Sequence, residues 1–483
     1  MRSQALDQRG NISSKQRLIH SAILLAVYLL SRVFFLNNGF GIDGDSWRIA
    51  KAAGNIAKDY LYQPSRFPGY PVVEIAYSVV FKLFGSNWIA ANLATCLVGL
   101  VCVFSFYRIL CLLNIRNKLP LALAFIFFPS FWINTTSTMD YVWGLAFVLL
   151  GYLASIHKRY VLAAILLGIS VGCRITLGLT IIPLLFLASR EKRGLSYLLL
   201  IAVTFLVFAL VAFSPVLLNY GLDFIQYKKH SAPLTLILYK LIIELFGWLA
   251  LGLLIFSLIA NGKKVFGVVK GMQNNENKYH LIYWFLSILI FTLPYILLPA
   301  DTAYLLYAVP FFLLLVNYLI SSNFLLILCI LLSLNSLISI CQVDEYSYKV
   351  KKMMKFNIIA RGIFLDDYYK RKNMLNKAQQ LAALKFPARS YIIMSSNAWA
   401  VSYYMTKEKP IFSNNINIKE TDTFIVEILK PKELNEVLKE GYQVYYISDQ
   451  FIPYRYKRSF NVALDTYGLK KITLKNNGYI ITE

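Results

Sequence analysis

Apolar runs close to the ~20 residues needed to cross a hydrocarbon core recur along the chain at 18–36, 87–113, 119–135, 139–156, 160–189, 195–218, 236–260, 281–299, 302–319 and 322–341. The connections between them are short and basic: Arg116 and Lys118, then His157 to Arg159, then Arg190, Lys192 and Arg193, then Lys263, Lys264, Lys270 and Lys278. Basic loops mark the cytoplasmic side, so the pattern predicts a polytopic α-helical membrane protein and orients it. Arg2, Arg9, Lys15 and Arg17 precede the first run, which is longer than a signal-peptide core and lacks a small-x-small cleavage site. It reads as a retained span with the N-terminus in the cytoplasm.

One run breaks the parity. Basic clusters flank 160–189 at both ends, and a straight helix of that length would reach ~45 Å at ~1.5 Å per residue. Gly172-Cys173-Arg174-Ile175-Thr176 supplies a break and a charge near its middle, which predicts two short helices that dip toward the outer face with Arg174 at the turn. The count becomes about 11 spans. Residues 1–341 then form the membrane domain and 342–483 an extracytoplasmic tail. In the tail, Tyr391-Ile392-Ile393-Met394, Thr423-Phe424-Ile425-Val426 and Val444-Tyr445-Tyr446-Ile447 alternate with helix-like stretches such as 431–440. That alternation predicts a small α/β domain, and no Gly-rich phosphate loop follows its strands.

Composition sharpens the class. Of 483 residues, 58% are hydrophobic and only 15% charged, too few to cover a soluble protein of this size. The 49 basic against 25 acidic residues are accounted for largely by the basic loops, so nucleic acid is not an expected partner. The six cysteines fall in or beside apolar runs without metal-ligand spacing, which implies neither a disulfide framework nor a zinc site.

Four segments remain on the outer side: 37–86, a turn at Thr135–Met139, 219–235 and Pro299–Ala303. The first is the most informative. Its first half is too polar to span and its 71–84 run too short, which predicts helices lying along the outer face. Asp43 and Asp45, flanked by Gly41 and Gly44, could ligate a divalent ion (Mg or Mn) or supply a general base; a turn capping a helix that begins near Ser46 uses the same residues. Arg66, inside the stiff Ser65-Arg66-Phe67-Pro68-Gly69-Tyr70-Pro71, could grip a phosphate or a lipid headgroup. Glu74 could pair with Arg66 or serve as a first-turn helix charge. Asp140 opens a span, where an interface residue is the simpler reading. Arg174 is an ionisable group within an apolar run and so a functional candidate. Lys228, Lys229 and His230 could hold an anion in an outer loop, and Asp301 with Tyr304 and Tyr307 fits an outer-edge aromatic belt or a site.

The order and spacing of these pieces resemble the GT-C superfamily of integral-membrane glycosyltransferases, within it the branch of polyprenyl-phosphate-dependent mannosyl- and aminoarabinosyltransferases. The resemblance rests on Gly41-Ile42-Asp43-Gly44-Asp45-Ser46-Trp47, the Pro-rich segment with Arg66 and Tyr70, Phe128-Pro129-Ser130-Phe131-Trp132, Met139-Asp140-Tyr141-Val142-Trp143, Leu167 to Arg174, and Tyr304 to Pro310. It covers about the first 340 residues. It implies that Asp45 or Asp43 is the catalytic acidic residue, and that Arg66 and Arg174 contact a lipid phosphate. Relatives often carry an Arg where Ala303 stands. The implied partners are a polyprenyl-phosphate-linked sugar donor, a glycan, lipid or protein acceptor, and membrane lipids.

Outward-facing carboxylates agree with that donor, because nucleotide sugars are cytoplasmic. Transfer would proceed with inversion as an acceptor hydroxyl displaces the lipid phosphate. The competing class is a lipid-linked glycan or polysaccharide transporter, which favours charged or broken spans near the midplane and repeated halves; the halves here do not repeat.

Overall fold

The computed structural model describes residues 13–191, 193–222, 237–238, 240–260, 262, 277–297, 302–339, 342–343, 356–357, 360–405, 415–448, 451–475 and 478–482. Among these, four helical segments are long and apolar enough to cross a membrane, at Ser14–Phe35, Trp88–Leu112, Leu195–Tyr220 and Lys278–Leu297, and a bent pair forms a fifth candidate. Shorter apolar helices fill in around them. The chain is a multi-pass membrane protein with a small C-terminal sheet domain.

Helix α1 (Ser14–Leu30) starts at a capping box: the Gln16 amide donates to Ser13 Oγ at 3.2 Å, and the Ser13 amide donates back to Gln16 Oε1 at 3.0 Å. The first long connection then forms α2 (Gly44–Asp59) and α3 (Pro71–Phe84), which pack on each other, with α3 also against α4 (Trp88–Leu112). Helix α3 buries Val73, Tyr77 and Phe81 while Val79, Leu83 and Phe84 stay exposed. That two-faced pattern suits a helix lying along a membrane surface.

The run 119–135, expected as one span, is broken. Helices α5 (Lys118–Phe127) and α6 (Pro129–Thr135) meet at 62°. Pro129 has no amide to donate and forces Phe128 into extended backbone. In an apolar bundle the carbonyls freed at such a break need donors. Arg32 Nη2 supplies one to Ile126 O at 2.7 Å, and Ser336 Oγ donates to Phe127 O.

Helix α7 (Tyr141–Ile156) lies against α4, and α8 (Tyr160–Val171) fits between α7 and α10 (Leu195–Tyr220). Gly168 permits the α8–α10 approach, since a Cβ there would come within 2.7 Å of the Phe205 carbonyl oxygen. Small residues at helix contacts are the usual device where lipid removes the hydrophobic drive for association. The broken run 160–189 is observed: α8 stops at Val171, a 3₁₀ turn spans Ile175–Thr180, and α9 covers Ile181–Ala188. The run 236–260, expected as one span, divides at Gly247, whose φ of +74° lies in the left-handed region that favours glycine, before α11 (Trp248–Ala260). Helices α12 (Asn277–Leu297), α13 (Val309–Leu319) and α14 (Ser322–Asn335) complete the bundle.

Two short ribbons, β1 (Ile338–Ser339) with β4 (Ala360–Arg361) and β2 (Gln342–Val343) with β3 (Phe356–Asn357), lead into α15 (Ile363–Ala382). The tail sheet has the order β10-β9-β8-β5-β7-β6, from β5 (Ser390–Ile393), β6 (Asn415–Ile418), β7 (Thr423–Val426), β8 (Gln443–Ile447), β9 (Lys470–Lys475) and β10 (Gly478–Thr482). Strands β7, β5, β8 and β9 run parallel, and antiparallel partners close both edges. Helices α16 (Asn397–Met405), α17 (Pro431–Lys439) and α18 (Phe451–Phe460) lie in the crossovers that parallel strands require.

The tail is bolted to the bundle. Phe364 stacks on Trp132 at 3.8 Å between centroids, and buried Arg371 donates to Thr136 O at 2.8 Å and Thr136 Oγ1 at 2.9 Å.

Candidate active site

Asp43 caps α2: its Oδ1 accepts the Asp45 amide at 3.0 Å. This is the capping use of the Asp/Gly turn, and it turns the Asp45 side chain to the first helical turn beside Arg48, three residues on. Arg48 Nη1 lies 3.1 Å from Asp45 Oδ1, and Arg66 pairs with Asp45 Oδ2.

The segment carrying Arg66 is tied down from behind. Glu74, in the first turn of α3, accepts from Tyr62 Oη at 2.6 Å, from the Ser65 amide at 2.7 Å and from the Tyr70 amide at 3.3 Å. It pairs with neither Arg66 nor solvent, so its expected role as a partner of Arg66 is replaced by that of a clamp on the loop. Burial raises the Glu74 carboxyl above the usual carboxylate range, while its hydrogen bonds from Ser65, Tyr62 and Tyr70 pull the other way. Gly69 passes close to α10 with φ +95°, where a Cβ would come within 2.7 Å of Val216. The loop thus holds Arg66 with its Nε donating to Tyr70 Oη at 2.8 Å.

Beyond Arg66 the charges enter the bundle. Arg66 Nη2 is 3.9 Å from Asp140 Oδ1, and Arg174 Nη1 donates to Asp140 Oδ2 at 2.5 Å. Asp140 is fully buried and Arg174 nearly so, at 0% and 3% exposure. Asp140 is therefore no interface residue at a span end. The break after Gly172 carries Arg174 back to it, and the Gly172 carbonyl accepts the Val72 amide at 3.1 Å, tying the break to the first turn of α3. The Arg174 guanidinium lies 4.0 Å from the Tyr141 ring, 4.4 Å from Tyr304 and 5.6 Å from Tyr70, which is cation–π range. Tyr304 and Tyr307 come from a 3₁₀ turn at Thr302–Tyr307. The Tyr307 hydroxyl is buried with no hydrogen-bond partner among the described residues.

Asp45, Arg66, Tyr70, Asp140, Arg174 and Tyr304 are thus brought together from five chain segments, with Tyr307 beside them and Asp43 and Glu74 holding the backbone. Lys228, Lys229, His230 and Asp301 lie outside the described residues. Two members were not foreseen. Arg48 was legible as an i, i+3 partner of Asp45. Glu427, whose two oxygens lie 3.0 and 3.1 Å from Arg48 Nη2, follows an apolar strand 379 residues away, and only its position after β7 marks it.

The pair Asp43/Asp45 does not fit a divalent cation as arranged. One Asp43 oxygen caps the helix, two guanidinium groups engage Asp45, and among the described residues no group of three or more His, Cys, Asp or Glu side chains could hold a metal. The donor set suits an anion gripped by arginines instead.

Fold and site together define a class: a multi-pass helical membrane protein in which arginines from the loop between α2 and α3 and from a helix break pair with a buried and a half-buried carboxylate beside a small α/β domain. No family model and no curated protein matches the sequence. The structure is similar to the crystal structure of ArnT from Cupriavidus metallidurans bound to undecaprenyl phosphate, at 12% identity and a TM-score of 0.51, over 96% of this chain and 94% of that one. The apo crystal structure of the same protein aligns over the same shares with a TM-score of 0.42. The likeness is one of fold alone.

Proposed function

We propose that the protein is a glycosyltransferase of the plasma membrane. It moves a hexosyl or pentosyl group from a polyprenyl-phosphate carrier to a glycan, lipid or protein acceptor on the outer face, with inversion. The observation that carries this reading is the alternation Asp45–Arg66–Asp140–Arg174 running from the start of α2 into the bundle. Such an arrangement offers guanidinium groups to a lipid phosphate at the level where its isoprenoid tail meets apolar helices, with a carboxylate within reach of the sugar. The undecaprenyl phosphate named in the structure of similar fold supports this donor class.

In this reading Asp45 takes the proton from the acceptor hydroxyl as its oxygen attacks the anomeric carbon. The carbon–oxygen bond to the lipid phosphate breaks on the opposite face. The departing phosphate gains negative charge in the transition state, and Arg66 and Arg174, with Tyr304 and Tyr307 beside them, stabilise that charge most when it is largest. Tyr70 and Glu74 keep Arg66 in place, and Asp140 holds Arg174. The cytoplasmic N-terminus and the extracytoplasmic tail belong to this reading, as do Lys228 and Lys229 as outer-loop contacts to the substrate. No step passes through a metal.

The test is transfer from undecaprenyl-phosphate sugars by the full chain in nanodiscs. Asp45→Asn is expected to lower kcat by about 10²–10⁴, the usual contribution of a general base. Asp43→Asn, which keeps a capping oxygen, is expected to stay within tenfold of wild type. Full activity in Asp45→Asn removes the base assignment, and movement of a lipid-linked glycan across the bilayer without chemical change favours the transporter.

A further inference from the structure

Arg48 has its fork divided. One nitrogen faces Asp45 Oδ1 at 3.1 Å, and the other faces both Glu427 oxygens at 3.0 and 3.1 Å. We infer that the C-terminal α/β domain completes the catalytic site: Glu427, at the carboxyl end of β7, is a positioning residue that acts on Asp45 through Arg48. The inference rests on the reading of Asp45 as the general base.

A guanidinium with two free N–H edges grips a carboxylate bidentately, which stabilises the anion and makes it a poorer proton acceptor. Glu427 prevents this by taking one edge of Arg48 for itself. Asp45 keeps a single hydrogen bond from Arg48, enough to orient it, and Glu427 offsets the cation's charge. As a simple bolt between domains the pair would contribute little, because the Arg48 side chain keeps 32% of its surface exposed. Its consequence is electrostatic and local.

The surroundings support a built arrangement. The carboxyl ends of parallel strands are where open α/β sheets present functional groups, and here the edge formed by β5 and β7 abuts the Asp45 turn. A Cβ on Gly44 would lie 3.9 Å from the Ser396 side chain, just past β5. Trp399 of α16 lies near two of the cations of α2, 5.9 Å from Arg48 and 5.5 Å from Lys51. The charged groups around Asp45 are therefore Arg48 and Lys51 on α2, Asp43 at its cap, Arg66 from the loop with Asp140 behind it, and Glu427 from the tail. Glu427, Asp45 and Asp140 alternate with Arg48, Arg66 and Arg174, so the row carries no net charge.

The experiment is the pH dependence of kcat for wild type, Glu427→Gln, Arg48→Gln and Asp45→Asn, as full chains in nanodiscs with an undecaprenyl-phosphate sugar. Glu427→Gln is expected to move the acid limb down by about half a pH unit and lower kcat about two- to threefold, with the donor KM within twofold of wild type. Arg48→Gln is expected to move the limb up by about one unit, since it removes a cation. Glu427→Asp should restore the limb toward wild type. A limb in Glu427→Gln that coincides with wild type, or moves up, overturns the inference, including where thermal stability falls. An inactive Asp45→Asn beside an unmoved Glu427→Gln limb removes the inference alone, whereas an active Asp45→Asn removes the base on which it rests.

Discussion

Replacing Arg174 by Met tests whether the buried charge pair is what organises the site. Asp140 is fully buried, with one oxygen 2.5 Å from Arg174 and the other 3.9 Å from Arg66. At an effective dielectric of about 20, unit charges about 3 Å apart attract by about 5–6 kcal/mol, most of which offsets desolvation. Removing one partner leaves the other buried and uncompensated, which costs about 3–5 kcal/mol. Arg66 gives Asp140 partial compensation in Arg174→Met, placing that variant near the lower figure. In Asp140→Asn, Arg174 retains the ring faces of Tyr141 and Tyr304, worth about 0.5–2 kcal/mol each. The double variant Arg174→Met/Asp140→Asn should therefore be no less stable than either single one, a coupling of about 3 kcal/mol. Denaturant unfolding in mixed micelles, followed by tryptophan fluorescence, measures the cycle. Single-variant losses that simply add in the double variant, to within about 0.5 kcal/mol, would refute the reasoning.

The Tyr307 hydroxyl, without a partner among the described residues, and the loop clamp give two more expectations. Tyr307→Phe should leave stability within about 0.5 kcal/mol, as for a change that removes no native hydrogen bond, yet raise the donor KM if that hydroxyl meets the phosphate. An unchanged KM in steady-state kinetics removes Tyr307 from the site. Glu74→Ala strands the Tyr62 hydroxyl and the Ser65 and Tyr70 amides, at about 1–3 kcal/mol for each group left buried, and should raise the donor KM as Arg66 loses its support. Because burial raises the Glu74 carboxyl, the folded state holds that proton more tightly than the unfolded chain. The group's contribution to stability is full below its ordinary value of 4.5 and falls as pH rises through the folded-state value. Unfolding midpoints across that window should show Glu74→Gln gaining on wild type as pH rises, and parallel curves would contradict this.

The membrane class, the two helices between the first and second long apolar runs, the break at Arg174 and the α/β tail were all legible in the sequence. Each follows from a local rule: apolar run length, a proline-bounded loop, a charge beside glycine inside an apolar stretch, and strand-helix alternation. Asp43 and Asp45 were legible as a turn with two uses, and it is the capping bond from Asp43 to the Asp45 amide that separates them. Local rules did not foresee the breaks inside two runs, 119–135 and 236–260. A freed carbonyl at a break is tolerable only where distant side chains such as Arg32 and Ser336 reach it, and glycine or proline alone does not say whether they do.

What the sequence determined alone was the solvent each segment belongs to, because transfer of ~20 apolar residues into lipid outweighs every other local preference. Which charges meet was decided by the tertiary structure. Asp140 and Arg174, 34 positions apart, and Arg48 and Glu427, 379 apart, are each ordinary in sequence. They become a site because packed helices bring them within a few ångströms, where a buried charge must find its opposite or cost the fold several kcal/mol.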